Sequence, residues 1–216
     1  MSSDDLGVVA ALNDPVRRAV YEYVISQGRE VGRNEAAEAA GVQRTLAAFH
    51  LDKLVEAGLL EAGFKRLGEK TGPGSGRPAK VYRRAPGEWQ VSVPARDYRT
   101  LALVLAEAVD LLGGDERAEE AARRAGGRLA ERVEPGEELE ETLRRRGYEP
   151  YEEEGRLRLR NCPFHVLAEQ HPLLVCSMNL SLCQGLLEGL GQDPARARLD
   201  PRPGECCVSL SINNEN

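Results

Sequence analysis

Between Asn13 and Arg84 the chain carries helix signals followed by strand signals in a fixed order, and that order leaves its amino-terminal half few folds to choose from. Asn13 or Asp14 stands where an N-cap belongs, Pro15 fills the first helical position, and Val16, Ala19, Val20, Tyr23 and Val24 follow at helical spacing before Gly28. A short helix over residues 34–40 stops at Gly41, and Gly41-Val42 makes a tight turn. A third helix over residues 43–57 takes Leu46, Leu51, Leu54 and Val55 as its apolar stripe, and Gly58 ends it. Residues 59–65 read as a strand, residues 68–78 (GEKTGPGSGRP) as a glycine-rich loop, and residues 80–84 as a returning strand.

Three helices followed by a hairpin with a basic tip is the order of a winged helix-turn-helix, so a double-stranded DNA partner is expected. The net charge of -6 argues against that partner only as an average. Residues 1–100 hold 15 basic and 13 acidic residues, whereas the remainder holds 14 and 22. Residues 64–84 alone carry seven basic side chains against one acidic. A helix entering the major groove needs short or polar side chains at its amino-terminal end, where base edges are met. Gln43, Arg44, Thr45, Ala47 and Ala48 fit: Arg44 toward guanine, Gln43 toward adenine, the alanines against thymine methyls. His50 and Arg33 are phosphate candidates, and Lys70, Arg77 and Lys80 on the wing would follow the backbone or enter the minor groove.

Residues 85–94, with two prolines, a glycine and the single tryptophan, read as a linker between domains at residues 1–88 and 95–216. Residues 97–112 are apolar around most of a helix, so a core or a second subunit must cover them. Helices are expected over residues 116–133, 137–146, 166–171 and 173–190, and strands over 148–153, 156–160, 196–199 and 207–212. The fold class is therefore α+β. A 41% hydrophobic, 30% charged composition is globular. The acidic amino end shows no secretory signal and the uncharged run over residues 170–187 is interrupted by polar side chains, so a cytoplasmic protein without a membrane span is expected.

All five cysteines, Cys162, Cys176, Cys183, Cys206 and Cys207, lie in the last 55 residues. In a cytosolic chain such clustering points to metal binding or redox chemistry before structural disulfides. No C-x2-C pair is present, which disfavours a zinc ribbon, although Cys162-x2-His165 permits a zinc site. One of Cys206 and Cys207 can face Cys162 and Cys176 while the other faces away. Cys183 lies seven residues from Cys176, about 10.5 Å along a helix. Thiol switching, or packing of small apolar cysteines beside an organic-ligand pocket, are the competing readings. Cysteine-nucleophile catalysis lacks a base and an orienting acid in any recognisable pattern, so no enzyme is expected.

Residues 49–60 (FHLDKLVEAGLL) resemble the run that closes the recognition helix in the arsenic-repressor-like winged-helix family, and residues 76–82 (GRPAKVY) resemble the wing of its close relatives. The resemblance implies a dimeric transcriptional regulator. That family's metal sites often use cysteines near the recognition helix, and here none precedes Cys162, so sensing is expected in the second half. Asn161-Cys162-Pro163-Phe164, Leu174-Val175-Cys176 with Asn179-Leu180, residues 185–190 (GLLEGL) and Pro203-Gly204-Glu205-Cys206-Cys207-Val208 are similar to the carboxy-terminal domain of regulators of iron-sulfur cluster biosynthesis. This second resemblance implies a homodimer holding an iron-sulfur cluster. Its ligands would be Cys162, Cys176 and one of Cys206 or Cys207, with a fourth from Cys183, the other member of the pair or a non-cysteine residue.

Overall fold

The computed structural model describes residues 3–65, 78–87, 89, 91–92 and 96–212, and the chain divides into two units, Met1–Arg96 and Asp97–Asn216. Both mix helices with a small antiparallel sheet, so the fold is α+β.

The first unit runs α1 (Ser3–Ala11), α2 (Pro15–Gln27), β1 (Val31–Gly32), α3 (Arg33–Ala39), α4 (Arg44–Glu56), β2 (Leu60–Lys65) and β3 (Ala79–Arg84). Asp14 caps α2 by accepting the Arg17 amide at 2.9 Å, Pro15 opens it, and Gly28 at a φ of 60° closes it. The turn between α3 and α4 passes through Gly41 at a φ of 63°, and Gln43 is the N-cap of α4. The buried stripe of α4 is Ala47, His50, Leu51 and Leu54, packed with Val20, Val24, Val31 and Tyr82. That corrects the expected stripe. Leu46 is 42% exposed, because it lies about 100° round the helix from Ala47 while Ala47, His50, Leu51 and Leu54 keep the 3.6-residue period.

β3 sits between β2 and the two-residue β1, which pairs Val31 with Tyr82 and Gly32 with Val81. The expected hairpin is thus the larger part of a three-stranded sheet. α1 was also not foreseen; its Val8 is buried in the same core.

The second unit runs α5 (Tyr98–Leu112), α6 (Asp115–Ala130), α7 (Leu139–Arg144), β4 (Pro150–Glu153), β5 (Arg156–Leu159), α8 (His165–Gln170), α9 (Pro172–Gly189), a 3-10 turn (Pro194–Arg196), β6 (Ala197–Leu199) and β7 (Val208–Ser211). The sheet order is β4-β5-β7-β6, antiparallel throughout. One set of strand side chains, Leu157, Leu159, Val208 and Leu210, packs under α9 with Leu186 and Leu187. On β5, Arg158 alternates with those leucines and is buried against Asp200 at 2.6 Å and Glu153 at 3.4 Å.

α6 and α9 cross almost backbone to backbone. Ala122, Gly126 and Ala130 line the buried side of α6, and a Cβ on Gly126 or Gly185 would collide with the carbonyls of Leu182 or Arg123. Arg123 closes the crossing with hydrogen bonds to Glu188 at 2.7 and 2.9 Å and to Gln184 at 3.2 Å. Of the two covers expected for α5, a core within this chain is not the one found: none of its residues is buried, and Leu101, Val104, Leu105, Leu111 and Leu112 are exposed.

Gly185→Ala should cost about 3 kcal/mol in urea unfolding, because the added methyl meets backbone that cannot step aside. Gly127→Ala, whose new Cβ would find its nearest neighbour at 4.0 Å, should be neutral or stabilise by up to about 1 kcal/mol.

Candidate functional sites

The exposed amino-terminal turn of α4 presents Gln43, Arg44 and Thr45, with Ala48 half-buried behind them. Two of the expected contact residues are not presented on this surface. Ala47 is fully buried, so its methyl belongs to the core. His50 is 4% exposed, with its Nδ1 accepting from Arg17 Nε at 3.4 Å, so the helix turns it away from any phosphate. Lys70 and Arg77 lie outside the described residues.

Arg33 and Lys80 are present but engaged. Asp52, one turn after Ala48 on α4, accepts from Lys80 Nζ and from the Tyr82 hydroxyl, both at 2.7 Å. Arg33 Nε donates to the Tyr82 oxygen at 3.0 Å, and its guanidinium stands 3.7 Å from Asp52. Burial pushes the Asp52 carboxyl up, but the bonds from Lys80 and Tyr82 and the Arg33 charge more than offset it and hold the group below its usual range. This hub ties α3, α4 and β3 together at the surface where the basic side chains gather. The basic count of the hairpin is partly neutralised as well: Lys65 pairs with Glu30 at 2.9 Å and Arg83 with Glu61 at 2.8 Å.

The second site lies between β5, α9 and the segment entering β7. Cys206 and Cys207 precede the strand instead of opening it, yet they continue its line: the Cys206 amide donates to the Leu159 carbonyl at 2.9 Å, and the Cys207 carbonyl accepts the Asp200 amide at 2.8 Å. Cys206 is consequently turned into the core and Cys207 is half-buried. The thiol of Cys162, three residues past β5, interacts with that of Cys206, as does that of Cys207. Cys183 is buried behind them on α9.

Two residues that the sequence reading did not single out for this site organise it. Tyr148 is 3% exposed, and its hydroxyl donates to Asn179 Oδ1 at 2.6 Å. Asn179 in turn donates from Nδ2 to the Cys206 sulfur at 3.2 Å, and the Cys183 thiol lies 4.0 Å from Asn179 Oδ1. A fully buried asparagine in an apolar helix must find partners. That was the available signal.

Three of these thiols, Cys162, Cys183 and Cys206, are shifted toward the neutral form. The hydrogen bond to Cys206, then burial, pushes Cys162 far above the usual thiol range. Burial pushes Cys183 up to about 12. For Cys206 the bond from Cys162 pulls down, but Cys207 and burial leave it pushed up to about 11. Thiolates, not thiols, are nucleophiles, so this environment is opposite to that of a catalytic cysteine.

Cys176 is half-buried two turns before Cys183 on α9, and none of these thiol contacts involves it. His165 is exposed beside Glu169 at 3.2 Å. Among the described residues no group of three or more His, Cys, Asp or Glu stands close enough to hold a metal ion.

Residues 12–62, about a quarter of the chain, match the family model described as a helix-turn-helix domain, which spans α2 through the start of β2. No curated protein matches, and no solved structure matches. The match points to a DNA-binding regulator. No helix among the described residues is long and apolar enough to cross a membrane.

Tyr148→Phe removes the donor that Asn179 Oδ1 faces inside the core, and should cost about 1–3 kcal/mol in chemical unfolding. The same variant should speed alkylation of Cys206 under native conditions, read by mass spectrometry, because Asn179 is then free to rotate off the sulfur.

Proposed function

We propose that the chain is a homodimeric transcriptional regulator that binds double-stranded DNA through α4, and whose operator affinity follows the state of the thiol centre at Cys162, Cys206 and Cys207, with Cys183 behind. The observation that carries the sensing half is that the thiols of Cys162 and Cys206, from separate stretches of chain, interact with each other, with Cys207 adjoining and Cys183 buried behind, in a unit that lacks the helix-turn-helix. Arg44, Gln43 and Thr45 would read base edges, while Arg33, Lys80, Lys70 and Arg77 would supply phosphate contacts and salt-dependent affinity. Two chemical states are open to the centre. The sequence argues for an iron-sulfur cluster or another metal at these cysteines, and the Cys162–Cys206 contact argues for oxidation to a disulfide.

The homodimer rests on α5. Leu101, Val104, Leu105, Ala108, Leu111 and Leu112 fall at the three- and four-residue spacing of a helix-pairing seam, and Arg99, Glu107 and Asp110 lie off it. The seam is uncharged and so complementary to itself. His171 on the N-cap of α9 binds Asp110 of α5 at 2.5 Å, and Leu173, two residues on, is 88% exposed. The exposed leucines and valine together offer on the order of 700 Å², near the ~800 Å² that each partner of a standard-size interface contributes. A two-fold dimer would also present two recognition helices to two half-sites.

Full-length protein should sediment as a dimer, and Leu105→Glu should sediment as a folded monomer with weakened DNA binding; a wild-type monomer would sink the dimer reading. The sensing reading is checked on a duplex that the full chain selects from a random pool. Affinity should change by about 5- to 150-fold between the reduced, metal-free protein and one other state, and Cys162→Ser should abolish the change. Anaerobic absorption with iron and sulfide analysis identifies a cluster, and loss of two hydrogens by mass identifies a disulfide. A colourless, metal-free protein whose DNA affinity ignores thiol oxidation would favour an organic effector instead.

A further inference from the structure

The buried stripe of α4 fixes what its opposite face presents. Ala47, His50, Leu51 and Leu54 pack inward, so at 100° per residue the outward face is centred on Thr45, Ala48, Phe49 and Asp52. Asp52 is occupied by Lys80, Tyr82 and Arg33. Thr45 and Ala48 are small. Phe49 is the large side chain of that face, and it is 52% exposed, its ring held edge-on to His50 and 6.0 Å from the Lys53 ammonium. Leu46, one turn earlier, is also exposed.

An aromatic ring at the centre of a groove-reading face has no hydrogen bond to offer. Of the groups lining the major groove, the one an apolar ring complements is the 5-methyl of a pyrimidine, since the remaining base edges are donors and acceptors that such a ring would desolvate without pairing. We propose that Phe49, flanked by Thr45 and Ala48, reads a pyrimidine 5-methyl group in each operator half-site, and thereby takes over the role that the buried Ala47 cannot fill. This rests on the DNA-binding reading above. Arg44 reads from the first turn of the helix and Phe49 from the second, so the two contacts fall on different base pairs of one half-site.

The test uses full-length protein and a duplex it selects from a random pool. Each thymine of the recovered site is replaced in turn by deoxyuracil, which removes only the methyl. One position per half-site should lose roughly fourfold in affinity with the wild type, the factor expected for exposing one buried methyl group. Phe49→Ala should bind the methylated and unmethylated duplexes equally, and its thermal unfolding should match the wild type because the ring is not in the core. Putting 5-methylcytosine at the sensitive position separates the sources: full affinity assigns the read group to the methyl itself, whereas binding no better than with cytosine assigns it to thymine. The proposal is overturned if uracil substitutions weaken Phe49→Ala as much as the wild type, or if no thymine methyl matters. A pool from which no sequence is enriched overturns the DNA-binding reading itself, a distinguishable failure.

Discussion

The second unit depends on the contact between Gly126 and Gly185. Side chains normally keep helix axes 8–10 Å apart. Removing the Cβ atoms lets α6 and α9 meet at backbone distance, and the Arg123 bonds to Glu188 and Gln184 fix their register. α9 is then held at one height over the sheet, and that height decides which of its residues face the turn after β5 and the segment before β7. Asn179 and Cys183 do, and the more N-terminal Cys176 does not. The thiol centre is therefore a product of helix packing as much as of cysteine placement.

Much of the first unit was legible because it is written in local chemistry. Asp14-Pro15, Gly28 and Gly41 act on the backbone next to them, and α2 and the α3–α4 turn fall where those residues put them. The phase of α4 was harder. Leu46 looks like core by type, yet a helix buries positions, and Ala47 and His50 occupy the buried ones. α1 gave little signal, having Gly7 in its middle and only Val8 and Ala11, among its described side chains, against the core. In the second unit, helices and strands were visible from periodicity, and alternation along a strand turned one of Cys206 and Cys207 inward without saying which. The place of Cys176 depended on how far along α9 the sheet reaches, which no spacing encodes. Tyr148 entered as the start of a strand, and only three-dimensional packing pairs it with Asn179, 31 residues away.

The apolar helix α5 shows the same division between type and position. Its composition demanded cover, and no residue of it is buried. A seam with its few charges set to one side is what pairing with an identical helix requires, since any charge on the seam would meet its own kind across a two-fold axis.

The Asp52 hub bears on how the chain would exchange ions. Arg33 and Lys80, the cations proposed to meet phosphate, already hold an anion, the carboxylate of Asp52. A DNA backbone arriving there competes with a tethered counterion in addition to the mobile ones of the solution. Tethered ions are not diluted when salt is lowered, so these two cations would contribute less to salt-dependent affinity than their number implies. The first unit would thus carry part of its ionic atmosphere as a side chain, and the residue that supplies it lies on the helix proposed to read the bases.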